Sequence, residues 1–371
     1  MKILIWSGYQ SSKWNLSTWL ENGIGGSEYC ILQLAIALNK LKHNVTVSGD
    51  VENGEFDGIQ FIHYNNFLNY QGPVGLSDKN YLKVFSHYDV IIGSNYIHYA
   101  KHLESYKITF DRSYFWLHNE YFYKWYNGNE MEDWGEYLFS PKLNKIIGVS
   151  KFHEKILKDN SNSLFNYDNT KSSKLICSID NAIDIDGYSN SLNNKIGGRI
   201  IWSSSPDRGL QLILDNWKKW KEKRSDLSLV ICAPPYSKDW FQTDISELKD
   251  VQWLGSLSPK ELREQQSKSE YWIYVSDYLE TYCLTALEMM LQKVKIITNG
   301  AGNIKNLIGD GERGIMIDEI NPDLILEYLV GDIKSKLLSY RWGGMTEKAY
   351  EWAKEQSWDN RVKEWIKLIQ E

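Results

Sequence analysis

Tyr271-Trp-Ile-Tyr-Val-Ser-Asp-Tyr-Leu-Glu280-Thr-Tyr-Cys-Leu-Thr-Ala-Leu-Glu288-Met-Met opens on a short apolar run, Tyr271 to Val275, crosses a polar turn, and continues with helical periodicity. A short apolar run bounded by turn residues suits a strand buried on both faces of a parallel sheet. The spacing predicts a strand ending near Val275, a loop at the mouth of the sheet carrying Glu280, and a helix with Glu288 a turn or so inside it. In an open parallel sheet, ligands bind beyond the carboxyl ends of the strands. Glu280 and Glu288 are therefore placed to meet different parts of one ligand, not to flank a single bond as paired glycosidase carboxylates do. The N–H groups of Tyr282, Cys283 and Leu284 face the same crevice.

Runs of the same kind recur along the chain. The first half has Ile3 to Trp6, Val45 to Ser48, Ile59 to His63, Val90 to Gly93, Tyr114 to His118, Ile146 to Val149 and Leu175 to Ile179. The second half adds Arg199 to Ser203, Leu227 to Cys232, Val251 to Leu254, Val294 to Thr298 and Gly314 to Ile317. Amphipathic stretches between them suit right-handed crossovers, so two doubly wound α/β sheets are expected. A chain of 371 residues exceeds one compact α/β core, which predicts two domains with a ligand cleft between them. Apolar periodicity lapses at residues 184–198, polar and rich in Asn and Gly, and the linker is placed there. The resulting domains are 1–185 and 186–350, with 351–371 a C-terminal helix that is free to cross back to the first domain. From Met345 to Glu371, Trp352, Trp358, Val362, Trp365 and Ile366 among charges suit one or two amphipathic helices.

A net charge of -6 argues against a general nucleic-acid binder, and 42% hydrophobic with 24% charged residues describes a folded globular chain. Lys142, Lys145, Lys151, Lys155 and Lys158 form a local basic patch. It reads as a solvated helix face, the alternative being peripheral contact with an anionic membrane or acceptor. Cys30, Cys177, Cys232 and Cys283 show no ligand spacing, so they are expected to be reduced and structural, in a reducing compartment. Met1-Lys-Ile-Leu-Ile-Trp6 begins a strand without a signal-peptide apolar region, and no apolar run reaches the roughly 20 residues that span a bilayer. A cytoplasmic location is expected.

Two further loops stand out. Gly23-Ile-Gly25-Gly26-Ser27-Glu28 opens a helix running to about Leu41, with glycines that allow close backbone approach and a helix N-terminus that attracts an anion. Its spacing is not that of a dinucleotide fingerprint, and a simple turn requirement explains it equally well. Ser203-Ser204-Ser205-Pro206-Asp207-Arg208-Gly209 follows the first strand of the second half. Hydroxyls, a helix start and Arg208 suit a diphosphate, while Ser-Pro-Asp also suits a helix cap.

These motifs together resemble one family. Tyr278-Leu-Glu280-Thr-Tyr-Cys-Leu-Thr-Ala-Leu-Glu288-Met-Met, within Val251 to Gly309, is similar to the glutamate-x7-glutamate motif of GT4-type retaining glycosyltransferases. Arg199-Ile-Ile-Trp-Ser-Ser-Ser-Pro-Asp-Arg208-Gly-Leu resembles that family's phosphate loop. Gly25-Gly26-Ser27-Glu28, Trp116-Leu-His118, Gly148-Val-Ser-Lys-Phe-His153 and Asn181-Ala-Ile-Asp184 resemble its donor-facing loop, sugar-side histidine, strand–helix junction and pre-linker turn. The resemblance covers nearly all of the chain, in order.

The resemblance implies the GT-B fold, two Rossmann-like domains facing a central cleft. It also implies transfer, with retention, from a UDP- or GDP-sugar to a glycan or other hydroxyl acceptor, with no metal required. In that picture Glu288 binds the nucleotide ribose, Glu280 meets hydroxyls of the transferred sugar, and Arg208 neutralises the diphosphate. Ser204, Ser205 and the backbone of Tyr282, Cys283, Leu284 and Thr285 cradle phosphate and sugar. Gly25, Gly26 and His118 approach from the first domain. One departure stands out: many relatives hold a basic residue at the position of Ser204, so either hydroxyls and helix N–H groups suffice or another cation, such as Arg112 or Lys151, reaches the phosphates. Asp184-Ile-Asp186 imitates a metal-binding pair but lies in the expected linker, where it is read as no metal site. The aromatic segment Tyr114 to Tyr126 is read mostly as core, with part of it available to stack on an acceptor sugar. The alternatives to a transferase are a GT-B epimerase or hydrolase, and a non-catalytic carbohydrate-binding protein on the same frame.

Overall fold

The computed structural model describes residues 1–8, 13–68, 74–76, 80–82, 85–95, 103, 108–119, 142–161, 174–188, 194–233 and 243–371. The chain divides into two compact units, Met1–Trp19, Ile24–Ala182 and Trp358–Glu371 forming one, and Leu20–Gly23 with Ile183–Ser357 the other. The aromatic residues 120–126 lie outside the described residues.

The N-terminal unit is built on strands β1 (Lys2–Gly8), β2 (Asn44–Gly49), β3 (Gly54–Phe56), β4 (Ile59–His63), β7 (His87–Ser94), β8 (Thr109–Trp116), β9 (Leu143–Gly148) and β10 (Ile176–Ser178). Between β4 and β7 lies a separate antiparallel pair, β5 (Val74–Leu76) and β6 (Asn80–Leu82). The main sheet has the order β10-β9-β8-β7-β1-β2-β4-β3 and is parallel except for β3 against β4. Side chains alternate across a strand. Leu4 and Trp6 join a buried cluster with Ile91, Phe115, Ile146 and Leu157, while Ile3 and Ile5 point to the opposite face and are equally buried. Burial on both faces is why β1 reads as one unbroken apolar run. The helices of this unit include α1 (Leu16–Asn22), which extends into the stretch grouped with the other unit, α2 (Gly26–Lys40), α3 (Tyr64–Leu68) and α4 (Lys151–Ser161).

The C-terminal unit has an all-parallel sheet of β11 (Arg199–Trp202), β12 (Ser228–Ile231), β13 (Val251–Trp253), β14 (Tyr271–Tyr274), β15 (Lys295–Thr298) and β16 (Ile315–Met316). Its order is β13-β12-β11-β14-β15-β16. Connections run outward in one direction from β11 and in the other from β14, so the topological switch point lies between these two strands, where such sheets bind ligands. The sheet carries α5 (Leu210–Lys223), α6 (Pro259–Lys268), α7 (Leu284–Leu291), α8 (Ile304–Leu307), α9 (Pro322–Lys334) and α10 (Lys336–Glu355). In α5, Ile213, Leu214, Trp217 and Trp220 are buried at helical spacing. Ser258 caps α6 in a reciprocal box with Glu261, with Pro259 in the first turn.

The strands expected from the sequence are present, with shifted ends. β8 begins at Thr109 rather than Tyr114 because its first residues alternate, Thr109 and Asp111 exposed and Phe110 buried, and form no apolar run. β3, β5 and β6 were not anticipated, being three-residue antiparallel pieces without an apolar signature.

The chain passes between units at Ala182/Ile183 and returns at Ser357/Trp358. Ile183 N–H donates to Gln356 O at 2.9 Å, so the two crossings run side by side. The expected linker, 184–198, instead packs on the C-terminal unit where it is described. Asp184 pairs with Arg263 at 3.1 Å, Ile196 N–H reaches Lys268 O at 2.8 Å, and Lys195 Nζ donates to Ser269 O and Gln292 O, each at 2.7 Å. Its polar composition thus satisfies a surface and does not mark a free connector. Of the one or two helices expected from Met345 onward there are two: α10 belongs to the C-terminal unit, and α11 (Trp358–Gln370) to the N-terminal one. Trp365 packs edge-on against Trp116 at 4.9 Å, and Arg112 and Tyr114 donate to the carbonyls of Ile369 and Leu368 at 2.6 and 3.1 Å.

The basic patch is partly neutralised. Glu154 accepts from Lys151 at 2.7 Å, from Lys158 at 2.6 Å and from Ser178 at 2.7 Å. Burial pushes the Glu154 carboxyl up, but these bonds overcome it and hold it down at about 2. Among the described residues no helix is long and apolar enough to cross a membrane. All four cysteines are free.

Candidate active site

Two loops meet at the switch point of the C-terminal unit. After β11, Pro206–Arg208 forms a 3₁₀ turn and Gly209, at φ +118°, leads into α5. A Cβ on Gly209 would lie 2.4 Å from Val275 O, so only glycine lets this loop lie against the end of β14. After β14, Asn299 brackets Ser276, accepting from its N–H at 3.2 Å and donating to its carbonyl at 2.9 Å. Glu280 then forms a parallel bridge with Gly302, and Asn303 N–H donates to Glu280 O at 2.8 Å. Glu280 is therefore held by its backbone as well as its side chain.

These loops bring Arg208 and Glu280 together. Arg208 Nη1 donates to Glu280 Oε1 at 3.2 Å, and Tyr274 Oη donates to the same oxygen. The guanidinium also lies 3.2 Å from the Tyr278 ring centroid. Burial raises the Glu280 carboxyl pKa against the pull of Tyr274 and Arg208. Burial acts to lower the Arg208 value, but the Glu280 carboxylate leads a set of opposing groups and the net shift is upward. The guanidinium is thus a fixed positive charge at the sheet's mouth.

Beside this pair, Ser204 Oγ donates to Thr285 Oγ1 at 3.4 Å, and Ser205 Oγ turns to Asp207. Tyr282 is buried, and Cys283 caps α7 with a left-handed backbone, φ +74° and ψ +79°. Leu284 and Thr285 then start the helix, Ala286 N–H turning back to Cys283 O at 3.2 Å and leaving the two N–H groups before it without an intrahelical partner. Glu288, inside α7, accepts from Gln266 Nε2 at 2.8 Å. Burial raises its pKa, with Gln266 and Arg263 opposing. Arg263 also holds Asp184 and lies 4.6 Å from the Tyr188 ring, which joins the segment after the crossing to the surroundings of Glu288. Asp184 is engaged in this ion pair. Arg112 and Lys151, considered as second cations for a phosphate, are committed elsewhere, to Ile369 O and to Glu154.

In the N-terminal unit His118 lies just past β8, its N–H donating to Asn95 Oδ1 at 3.0 Å and its ring 4.4 Å from that of Trp116. Burial, with His153 adding, pulls its pKa down to about 3, so it is a neutral imidazole at pH 7. His153 Nδ1 accepts from Val149 N–H at 3.1 Å, which leaves the proton on Nε2 for Asn119 O at 2.9 Å. Burial takes His153 down to about 4, against that bond. Gly25 precedes α2, and Gly26 is its first residue. A Cβ on Gly25 would lie 2.2 Å from Glu28 Oε2, so the space beside this glycine holds the buried Glu28 carboxylate.

The two histidines predict a pH dependence of stability. A folded pKa below the unfolded value of about 6.5 means the unfolded chain takes up the proton first as pH falls. Stability is expected to fall from pH 6.5 down to the folded values, by about 3 kcal/mol for His153 alone. Urea unfolding between pH 7 and pH 4 measures this, and a flatter profile is expected in His153→Gln.

Residues 203–342 match the family model of glycosyl transferases group 1. HepE of Anabaena, solved in complex with UDP and glucose, superposes with a TM-score of 0.68 at 14% identity, covering 100% of this chain and 99% of that one. The fold is GT-B. Sucrose-phosphate synthase of Thermosynechococcus elongatus shares this GT-B architecture, with a TM-score of 0.68 at 10% identity over 100% of this chain and 98% of its own. In sequence, a lipopolysaccharide 1,2-N-acetylglucosaminetransferase of Salmonella typhimurium is 24% identical over 180 residues, 44% of this chain and 46% of that protein. The match spans less than half of that relative's length. The group 1 stretch of this GT-B chain contains Ser204, Ser205, Arg208, Glu280, Tyr282–Thr285 and Glu288, together with Tyr274, Tyr278, Gln266, Arg263 and Gly302, which the sequence reading did not single out. Gly302 had a visible signal in Asn299-Gly-Ala-Gly302-Asn303, a turn-forming run after a strand.

Proposed function

We propose that this protein is a retaining glycosyltransferase that moves a sugar from a nucleoside-diphosphate sugar, UDP- or GDP-linked, to a hydroxyl of a glycan or other acceptor, without a metal cofactor. The observation that carries this reading is the Arg208–Glu280 pair at the switch point, 3.2 Å apart, beside the N-terminus of α7. The relatives support it, since HepE holds UDP and glucose and the Salmonella protein is named for N-acetylglucosamine transfer. The four free cysteines suit a reducing compartment and hence a cytoplasmic location.

In this reading Glu288 accepts hydrogen bonds from the ribose, and Glu280 accepts from hydroxyls of the transferred sugar. As the bond from the anomeric carbon to the diphosphate oxygen breaks, negative charge grows on the leaving group and positive charge on the sugar ring. Arg208, the hydroxyls of Ser204, Ser205 and Thr285, and the N–H groups from Tyr282 to Thr285 meet the first; fixed donors aimed at developing charge are a large catalytic term. The acceptor oxygen attacks from the face the diphosphate leaves, and its proton passes to the departing phosphate. In the N-terminal unit, Gly25 and Gly26 are assigned to close donor approach and His118, neutral at pH 7, to the sugar.

Incubation with UDP-, GDP- and ADP-sugars, with and without glycan acceptors, tests the proposal. Release of nucleoside diphosphate that requires an acceptor, with the donor's anomeric configuration kept in the product by NMR, is the expected outcome. Release without acceptor identifies a hydrolase, donor isomerisation an epimerase, and binding without turnover a carbohydrate-binding protein.

A further inference from the structure

Glu280 has two carboxylate oxygens, and the protein's donors converge on one of them. Tyr274 Oη and Arg208 Nη1 both donate to Oε1, while among the described residues no protein donor reaches Oε2. An ionised carboxylate oxygen has about two lone-pair sites. Oε1 is therefore saturated, and Oε2 retains acceptor capacity for up to about two further donors.

Tyr274 is itself rigidly placed. It is the last residue of β14, fully buried, with its ring stacked parallel to Trp202 of β11 at 5.8 Å and 5°, and 5.0 Å from Trp272. Trp202 Nε1 donates to Ser204 O at 2.8 Å. The strand that aims the phenol at Glu280 is thus braced by a side chain that also fixes the loop before Arg208.

We propose that Tyr274 is a positioning residue that occupies Glu280 Oε1 and thereby presents Oε2 as the acceptor for one or two neighbouring hydroxyls of the transferred sugar. The proposal rests on the glycosyltransferase reading for the identity of that ligand, and on the bond pattern alone for the orientation of the carboxylate.

The same bond favours the charged form of the carboxylate against its burial. The groups around Glu280 are Arg208 and Asp207 from the 3₁₀ turn, Tyr274 from β14, Tyr278 from the loop, and Cys283 at the start of α7. Burial favours the protonated form, and the Tyr274 hydrogen bond and the Arg208 charge oppose it. Removing the phenol hydroxyl removes a donor that stabilises the charged form, so the Glu280 pKa must rise.

The test is Tyr274→Phe, which keeps the ring between Trp202 and Trp272. Its carboxyl titration is followed by NMR on protein labelled with carboxyl-¹³C glutamate, with Glu280→Gln identifying the resonance. The Glu280 titration is expected to move to higher pH with no ligand present. In turnover, the acid limb of the pH profile is expected to move the same way and kcat at pH 6 to fall about ten-fold, with nucleotide inhibition constants changed by less than about two-fold. A folded Tyr274→Phe protein whose Glu280 titrates as in wild type overturns the proposal, as does an unchanged acid limb in an active enzyme. A shifted titration in a protein that transfers no sugar from any donor upholds the orientation of Glu280 and overturns the glycosyltransferase reading instead.

Discussion

Arg208→Ala is expected to lower kcat/KM for a sugar nucleotide by about 10²- to 10³-fold, the usual cost of removing one fixed donor from developing negative charge. Two features of the site set this size. Ser204 supplies only a hydroxyl four residues before Arg208, and Arg112 and Lys151 are engaged elsewhere, so of these three described cations Arg208 is the one at the phosphate loop. That guanidinium is also immobilised between Glu280 and the Tyr278 ring, so little ordering remains to be done when charge develops. Arg208→Lys keeps the charge but loses the planar contact with Tyr278, and an intermediate loss is expected. Truncation removes one of the two donors to Glu280 Oε1, so part of the loss comes through Glu280 protonation and grows as pH falls. Steady-state kinetics from pH 5 to pH 8, on variants with wild-type melting curves, measures both effects.

Gly302→Ala is expected to destabilise the C-terminal unit by about 2–4 kcal/mol and to impair activity more than that loss of folded protein explains. The added Cβ would sit 2.4 Å from Glu280 N and 2.4 Å from Glu280 O. Both are backbone atoms, so no side chain can swing away, and the bridge that carries Glu280 must shift. The backbone of Gly302, φ +65°, adds a smaller cost for a residue with a side chain. Gly344 in α10 is the control: a Cβ there meets nothing within 4 Å. Gly344→Ala is expected to stabilise by up to about 1 kcal/mol through helix propensity alone. Urea unfolding of both variants, with activity measured on the folded fraction, separates the two.

The legible parts of the fold are those whose burial forces a continuous apolar run. β14 is buried along its whole length, so Tyr271 to Val275 announces a central strand, and the loop and helix after it announce where a ligand binds. Glu280 and Glu288 were legible only through that setting, because two glutamates separated by a loop are common. Tyr274 was not legible: inside an apolar run a tyrosine reads as core, and only the structure shows its hydroxyl on Glu280. The same holds for Gln266 and Arg263, which read as the polar face of α6 until Glu288, Asp184 and Tyr188 are seen against them.

The unit boundaries show a different limit. Asn and Gly between residues 184 and 198 match a linker in composition, yet Asp184, Lys195 and Ile196 are bonded into the C-terminal unit. Local sequence reports solvation and turn tendency, not which surface a segment lies on. For α11 the tryptophan spacing establishes an apolar face, but only the packing of Trp365 on Trp116 shows which unit that face covers.

Binding of a nucleoside diphosphate at Glu288 and Arg208 is the core of this account. Thermal unfolding of wild type, Glu288→Ala and Arg208→Ala in the presence of UDP, GDP and ADP tests it most directly. One of these nucleotides, at about 100 times its Kd, is expected to stabilise wild type by about 2.7 kcal/mol, and both variants are expected to lose most of that gain at the same concentration. No stabilisation of wild type by any of the three, or full stabilisation retained in both variants, would contradict it.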